Sequence, residues 1–371
     1  MPRDNTYNFK EVGYSIVFNF LSKIIGFGTT LVVSWKIGTT LELDLYYLVT
    51  GLIGVISGII ITQESYFILP KGLLIKSKVG LVSFMKYYNS VLLSYIGILS
   101  ILAIVFFFFT SEIIELTSKY KTNEIKESEK ILKILTIYLI FTPINNLLSN
   151  ILNSLNYFRI STLVTLISSF LVILSLLFFS DLGTFSLYLG VSVSSVGAFA
   201  YNFWYLRLKG WKFIFSLKGV KFKYDTNFLY ANLMAFLAYF KGLLNNYLIS
   251  GMGRGLLTGF NFGYGLHNLP TFLILSQVKI PFSVKISELY HRKMFVELND
   301  YISSIILFLI YITVPINLII FMFSDQLVNL LYGHGKFDQK TLQSIADVFG
   351  NLSFTIPLSV FESFIFQIFI S

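Results

Sequence analysis

The sequence predicts an all-α, polytopic membrane protein of about ten transmembrane helices in two pseudo-repeated lobes, the second lobe incomplete. Three observations carry this expectation. The 371 residues are 55% hydrophobic and only 13% charged, with a mean hydropathy of +0.73. Apolar runs of the ~20 residues needed to cross a ~30 Å hydrocarbon core recur along the chain. A set of residues also repeats at a constant offset of 213: Tyr88, Ser90, Phe108, Ser111, Leu139, Phe141 and Thr142 return as Tyr301, Ser303, Phe321, Ser324, Leu352, Phe354 and Thr355. Parallel repeats in polytopic chains place substrate sites between related halves.

The spans read in order as residues 13–35, 45–69, 82–110, 131–154, 160–179, 184–206, 228–250, 256–281, 302–323 and 342–370. The first follows a polar start, Met1–Lys10, and is too long for the apolar region of a cleavable signal. Gly38 after the first span pairs with Gly253 after the seventh. Gly54 with Gly58, and Gly259 with Gly263, have the small-xxx-small spacing of close helix packing. Pro143, Pro315 and Pro357 fall inside spans, where neighbouring helices satisfy the freed carbonyls. Asn146, Asn150 and Asn153 make a polar stripe on the fourth span, with Asn145 beside it. These amides either bond a neighbouring helix or wall a sugar site.

Spans three and four match spans nine and ten. Residues 1–206 then form an N-terminal lobe of six spans, 207–227 a basic cytoplasmic linker, and 228–371 a C-terminal lobe of four. The partners of spans five and six are expected beyond Ser371, as in a truncated product or fragment; a naturally short second lobe is the alternative.

Charge sets the orientation. With the N-terminus inside, the inside loops hold 15 Lys and Arg and the outside loops 8, so the N-terminus is expected in the cytoplasm. The outside loop at 111–130 is mixed, with Glu112, Glu115, Glu124, Glu127 and Glu129 among its lysines. The net charge of +9 does not point to nucleic acid, because the basic residues sit in short loops between spans, where they meet lipid head groups. The chain has no Cys, which excludes disulfides and thiolate metal sites. His267, His291 and His334 stand apart, without a metal-binding spacing, and no Walker loop occurs. Neither an enzyme, a cofactor nor a resident metal is expected.

Charges at membrane depth are functional candidates by default. Lys23 lies roughly 13 Å into the first span and Lys241 roughly 20 Å into the seventh. Measured from Gly38 and Gly253, the two differ by about one helical turn. They are expected to face a shared cavity and attract phosphate; snorkelling to the interface is the alternative. Asn245 and Asn246 follow Lys241. Glu64 and Glu362 are expected to snorkel or to pair with a lysine, with a transport role as the alternative. Gly251–Gly255 reads as an outer turn, with an anion-binding nest as the alternative.

Several segments resemble the MurJ/MviN lipid II flippases, within the wider superfamily of polysaccharide and multidrug exporters. They are Ser22–Phe27, then Ile37-Gly38-Thr39-Thr40 with Asp44; Ile151–Phe158 at the end of the fourth span; and Leu330–Phe337 before the tenth. The resemblance implies a two-lobe flippase working by alternating access on an undecaprenyl-pyrophosphate-linked glycan. The head group would sit in a cationic cavity and the tail in the bilayer. Lys23 takes the place of one family arginine, and Asp44 matches a family aspartate. Further family arginines correspond to Thr29, Ile56 and Gly265 here, so an O-antigen or capsule-type unit is as compatible as lipid II. The implied substrate-binding set is Lys23, Lys241, Asp44, Asn245 and Asn150, with Asp44 gating or pairing at the outer face. Two other readings stand beside it: a small-solute or multidrug antiporter of the same superfamily, and an inactive homologue that partners a glycan-assembly complex.

Overall fold

Apolar runs punctuated by Gly, Thr and Asn become helices and their caps. The computed structural model describes residues 9–213 and 226–370, and no strand occurs among them. Arg3, and residues 214–225 of the basic linker with Lys218, Lys221 and Lys223, lie outside the described residues. The helices are α1 Phe9–Lys36, α2 Leu41–Gln63, α3 Leu69–Lys78, α4 Leu81–Phe108, α5 Thr110–Thr117, α6 Thr122–Leu132, α7 Leu135–Ser154, α8 Phe158–Phe178, α9 Phe185–Leu208, α10 Thr226–Ser250, α11 Leu256–His291, α12 Phe295–Tyr332, α13 Gln339–Ser353 and α14 Thr355–Ile370. A π-helix, Glu64–Ile68, joins α2 to α3. Among the described residues, six stretches are long and apolar enough to cross a membrane, and α13 with α14, bent by 48°, makes a seventh. Predicted spans six, seven and eight fall on α9, α10 and α11. The chain is thus a polytopic helical membrane protein.

Two compact units are present, Met1–Arg254 and Gly255–Ser371. This boundary follows α10 because α10 packs along α2.

In the first unit the core lies between the α2–α3 segment, α4 and α7, around Phe84, Tyr88, Leu99, Leu147 and Leu152. Helix α4 is apolar all round: Leu99 and Phe106 are buried, while Ile98, Ile101, Ile104 and Phe108 are exposed. Such a helix suits lipid. Lipid competes equally for apolar side chains, so close packing and polar ties hold the helices together. Trp211 donates to Asn89 Oδ1 at 2.9 Å, and the Asn89 amide donates to the Lys212 carbonyl at 2.7 Å, fixing the end of α9 on α4. The Lys76 ammonium donates to the Ser154 carbonyl at 2.6 Å, capping the negative end of α7.

Close approach of α2 and α10 needs glycine. A Cβ at Gly58 would lie 2.0 Å from the Tyr239 ring, and one at Gly51 would lie 2.6 Å from the Asn246 amide. Gly54 faces open space. The packing pair on α2 is therefore Gly51 with Gly58, not Gly54 with Gly58. In the second unit the predicted pair does pack: Gly259 lies on Ser344, and a Cβ at Gly263 would lie 2.8 Å from the Ile345 carbonyl oxygen of α13. Phe282, Leu309, Val360 and Phe364 form that unit's core between α11, α12 and α14.

The repeat is visible in the backbone. Helix α4 breaks from α5 at Phe109, with φ −115° and ψ 31°. Helix α12 kinks at Phe323, with φ −118° and ψ 17°. The two breaks match to within one residue of the sequence offset.

Candidate functional site

The family-like segments turn out to be structural joints. Ser22 meets Ser169 of α8 at 2.9 Å. Gly38 takes φ 77°, and Thr40 caps α2 by accepting from the Leu43 N–H at 3.2 Å. Asn153 accepts from Ser161 at 2.7 Å, just before Asn156 turns the chain at φ 65°. Tyr332 and Phe337 pack edge-on against Phe262, with centroids 5.3 and 4.9 Å apart.

The sequence-predicted site residues do not form one cluster. Lys23 of α1 and Lys241 of α10 are exposed within the first unit. On α10, Asn232, Tyr239 and Asn246 recur every seven residues and meet α2. Lys241 is rotated roughly 200° from Tyr239, so it points away from α2. Asn245 is half-buried on the same helix. Asp44 is fully buried in the first turn of α2, where the helix dipole favours a carboxylate. Burial, and then the charge of Asp44, push the Tyr120 phenol in the α5–α6 loop above its ordinary range. Asn150 lies near the other end of α2, roughly 30 Å from Asp44 by helical rise.

Asn150 belongs to a buried cluster around Glu64. This carboxylate is 1% exposed. Its Oε2 accepts from the Asn146 amide at 2.5 Å and the Asn150 amide at 2.7 Å. Tyr95 and Tyr88 of α4 stand within electrostatic reach of it. Glu64 Oε1 and both tyrosine hydroxyls are buried, and the Tyr95 hydroxyl faces the carboxylate. None of the ion pairs among the described residues includes Glu64. The expectation that Glu64 snorkels or pairs with a lysine is thus corrected: it faces the interior, and amides hold it. Glu64 opens the π-helix, whose extra residue per turn re-aims side chains and is common at functional sites. Sequence reasoning found the Asn146–Asn150 stripe but not its partner, because Glu64 lies toward the end of its apolar run, where a carboxylate ordinarily reaches the interface, and only the fold sets it against α7.

A second polar group sits at the far end of α10. Arg254 pairs with Glu124 at 2.6 Å. The Lys119 N–H donates to Ser250 Oγ at 2.9 Å, and its ammonium lies 5.1 Å from the Tyr247 ring centroid. The arginine's hydrogen bond holds the Glu124 carboxyl below its ordinary value. Gly251–Gly255 therefore forms a turn whose arginine is paired with a carboxylate.

Long apolar helices around a buried polar centre define a multi-span membrane protein. A solved structure of a lipid II flippase MurJ in an inward closed conformation aligns with 97% of this chain and 76% of its own, with TM-score 0.78 and 21% identity. An inward-facing multidrug resistance transporter of the MATE family, in the MOP superfamily, aligns over 95% of this chain and 80% of its own, with TM-score 0.64 and 14% identity. An outward-facing MATE transporter gives TM-score 0.56 at 15% identity, over 96% of this chain and 81% of its own. At such identities these likenesses establish a shared fold. Among curated proteins, none matches. The family model described as lipid II flippase MurJ matches residues 83–370. The chain belongs to that family, whose members are multi-pass membrane flippases of a lipid-linked precursor.

Proposed function

We propose that the protein moves an undecaprenyl-pyrophosphate-linked glycan precursor, lipid II or an O-antigen or capsule-type unit, across the bacterial cytoplasmic membrane by alternating access. The N-terminus lies inside, and the moving lobes are residues 1–206 and 228–371, joined by the linker at 207–227. Family membership over residues 83–370 is the observation that carries this reading. Moving a pyrophosphate through hydrocarbon needs compensating charge, since an unpaired ion there costs several kcal/mol or more. Lys23 and Lys241 supply that charge. The positions matching further family arginines cannot: Thr29 donates to the Ile25 carbonyl, Ile56 packs on the first unit's core, and Gly265 has open space around it. Lysine is a point charge and lacks the arginine fork, so the head group is held less rigidly. Asn245 is the proposed sugar-side amide, Asn150 reaches the sugar through its carbonyl oxygen because its amide N–H serves Glu64, and Asp44 anchors the outer end.

The test is flipping of a fluorescent undecaprenyl-pyrophosphate glycan in proteoliposomes. Lys23→Ala with Lys241→Ala should abolish it, and Lys→Arg at both should retain it. Wild-type flipping that survives the double alanine change removes the cationic-cavity mechanism. One observation favours the antiporter reading as a second choice: Glu64 is the deep acidic residue that ion-driven exchange of a small solute requires. Ion-dependent efflux of a cationic dye, with no flipping of any lipid-linked glycan, would decide for it.

A further inference from the structure

We propose that Glu64, Asn146, Asn150 and Tyr95 form a binding site for a monovalent cation, H⁺ or Na⁺, inside the N-terminal helical bundle. All four side chains lie on elements of one compact unit: the α2–α3 segment, α7 and α4. Burying an ionised carboxylate is costly unless a positive charge accompanies it. Glu64 is 1% exposed, and no Lys or Arg among the described residues forms an ion pair with it. Amide donors reduce this cost without cancelling the charge, and here both serve the same oxygen, Oε2. Oε1 takes neither amide and is buried, and the Tyr95 hydroxyl of α4 faces the carboxylate. A buried carboxylate with a phenol oxygen facing it and no ion-pair partner among the described residues is an oxygen-lined site suited to a cation. Either a proton on Oε1, donating onward to a tyrosine oxygen, or a sodium ion between those oxygens completes it.

The groups facing the carboxylate from its surroundings leave that role open. Among the described residues, helix α7 presents the two amides, and α4 presents Tyr88 and Tyr95, with Tyr87 beyond them. On Glu64's own helical segment, Lys76 is engaged with the Ser154 carbonyl, and Lys71 lies over the Tyr87 ring at 5.5 Å. The π-turn at Glu64 is a backbone irregularity that can relax when the charge it carries is neutralised. Occupancy of the site is thus suited to driving the transport cycle; this last step rests on the transport reading, while the site itself does not.

The experiment uses the full chain in lipid nanodiscs. One arm replaces choline by Na⁺ at constant ionic strength and follows the melting temperature; the other follows the protonated-carboxyl infrared band as pH is lowered. A saturable rise in melting temperature identifies Na⁺; appearance of the band with no sodium response identifies H⁺. Either supports the site, provided Glu64→Gln abolishes the response and Tyr95→Phe weakens cation binding by about tenfold, the worth of one charge-assisted contact. Tyr95→Phe keeps the carboxylate and its amides, so it reports even where Glu64→Gln does not fold. A wild-type protein indifferent to both cations overturns the proposal, as does a Glu64→Gln or Tyr95→Phe variant with an unchanged response. Intact cation binding without flipping would instead refute the transport reading and leave the site standing.

Discussion

Arg254 and Glu124 show what a single ion pair contributes here and what it does not. Their side chains are 66% and 22% exposed, so water and salt screen the attraction. The pair's consequence is its pH sense. Arg254 holds the Glu124 carboxyl below the ordinary 4.5. A carboxyl depressed in the folded state contributes fully above its ordinary value, and the contribution is lost as pH falls through the depressed value. A spin label at Asn123→Cys, an exposed position beside Glu124, should therefore stay immobile from neutral pH down to ~4.5 and loosen below it. Arg254→Ala should give a looser label at neutral pH and shift the transition upward; a label indifferent to both changes refutes the clasp. The sequence displayed both charges, but 130 residues separate them, and only the path of α10 brings them together. Glu64 was harder to read for a different reason. It lies toward the end of an apolar run, where a carboxylate ordinarily reaches the interface, and only the packing of α7 supplies the amides that hold it inside.

Helix α10 is the element whose placement the sequence left most open. Its helix was legible from apolar length, and so was Lys241 within it. Its packing partner was not, because the contact stripe on α2 uses glycines seven apart, whereas the four-residue spacing at Gly54 and Gly58 is a coincidence of composition. Three ties run along the contact: Gln63 to Asn232 at 2.9 Å, Tyr239 on Gly58, and Asn246 on Gly51. A chain without native Cys permits a direct check. Gly51→Cys with Asn246→Cys should cross-link on mild oxidation, and Gly54→Cys with Asn246→Cys should not. If α10 moves off α2 during transport, the cross-link should stop flipping and reductant should restore it. Efficient cross-linking from Gly54 would mean that another face of α2 meets α10.

Across the whole molecule, the repeat was legible as identities at offset 213 and is realised where α4–α5 and α12 break. It then diverges. Helix α7 is continuous, but its counterpart is divided at Phe354 between α13 and α14. Asn317 occupies the place of Ile104 under the offset and accepts from Ser353 Oγ at 2.7 Å, a polar lock that the first repeat lacks. The lock lies two residues after Pro315, whose missing N–H already weakens α12. Asn317→Ala should destabilise the second unit by about 0.5–1.5 kcal/mol, the range of a net hydrogen bond. A larger loss is not expected, because Ser353 also donates to the Gly350 carbonyl at 2.6 Å and so keeps a partner. Since Asn317 and Ser353 both belong to the second compact unit, the change should remain local. Hydrogen exchange should quicken in α12, α13 and α14 while α4 and α7 keep their wild-type protection. Equal quickening in α4 and α7 would show instead that the two units open as one.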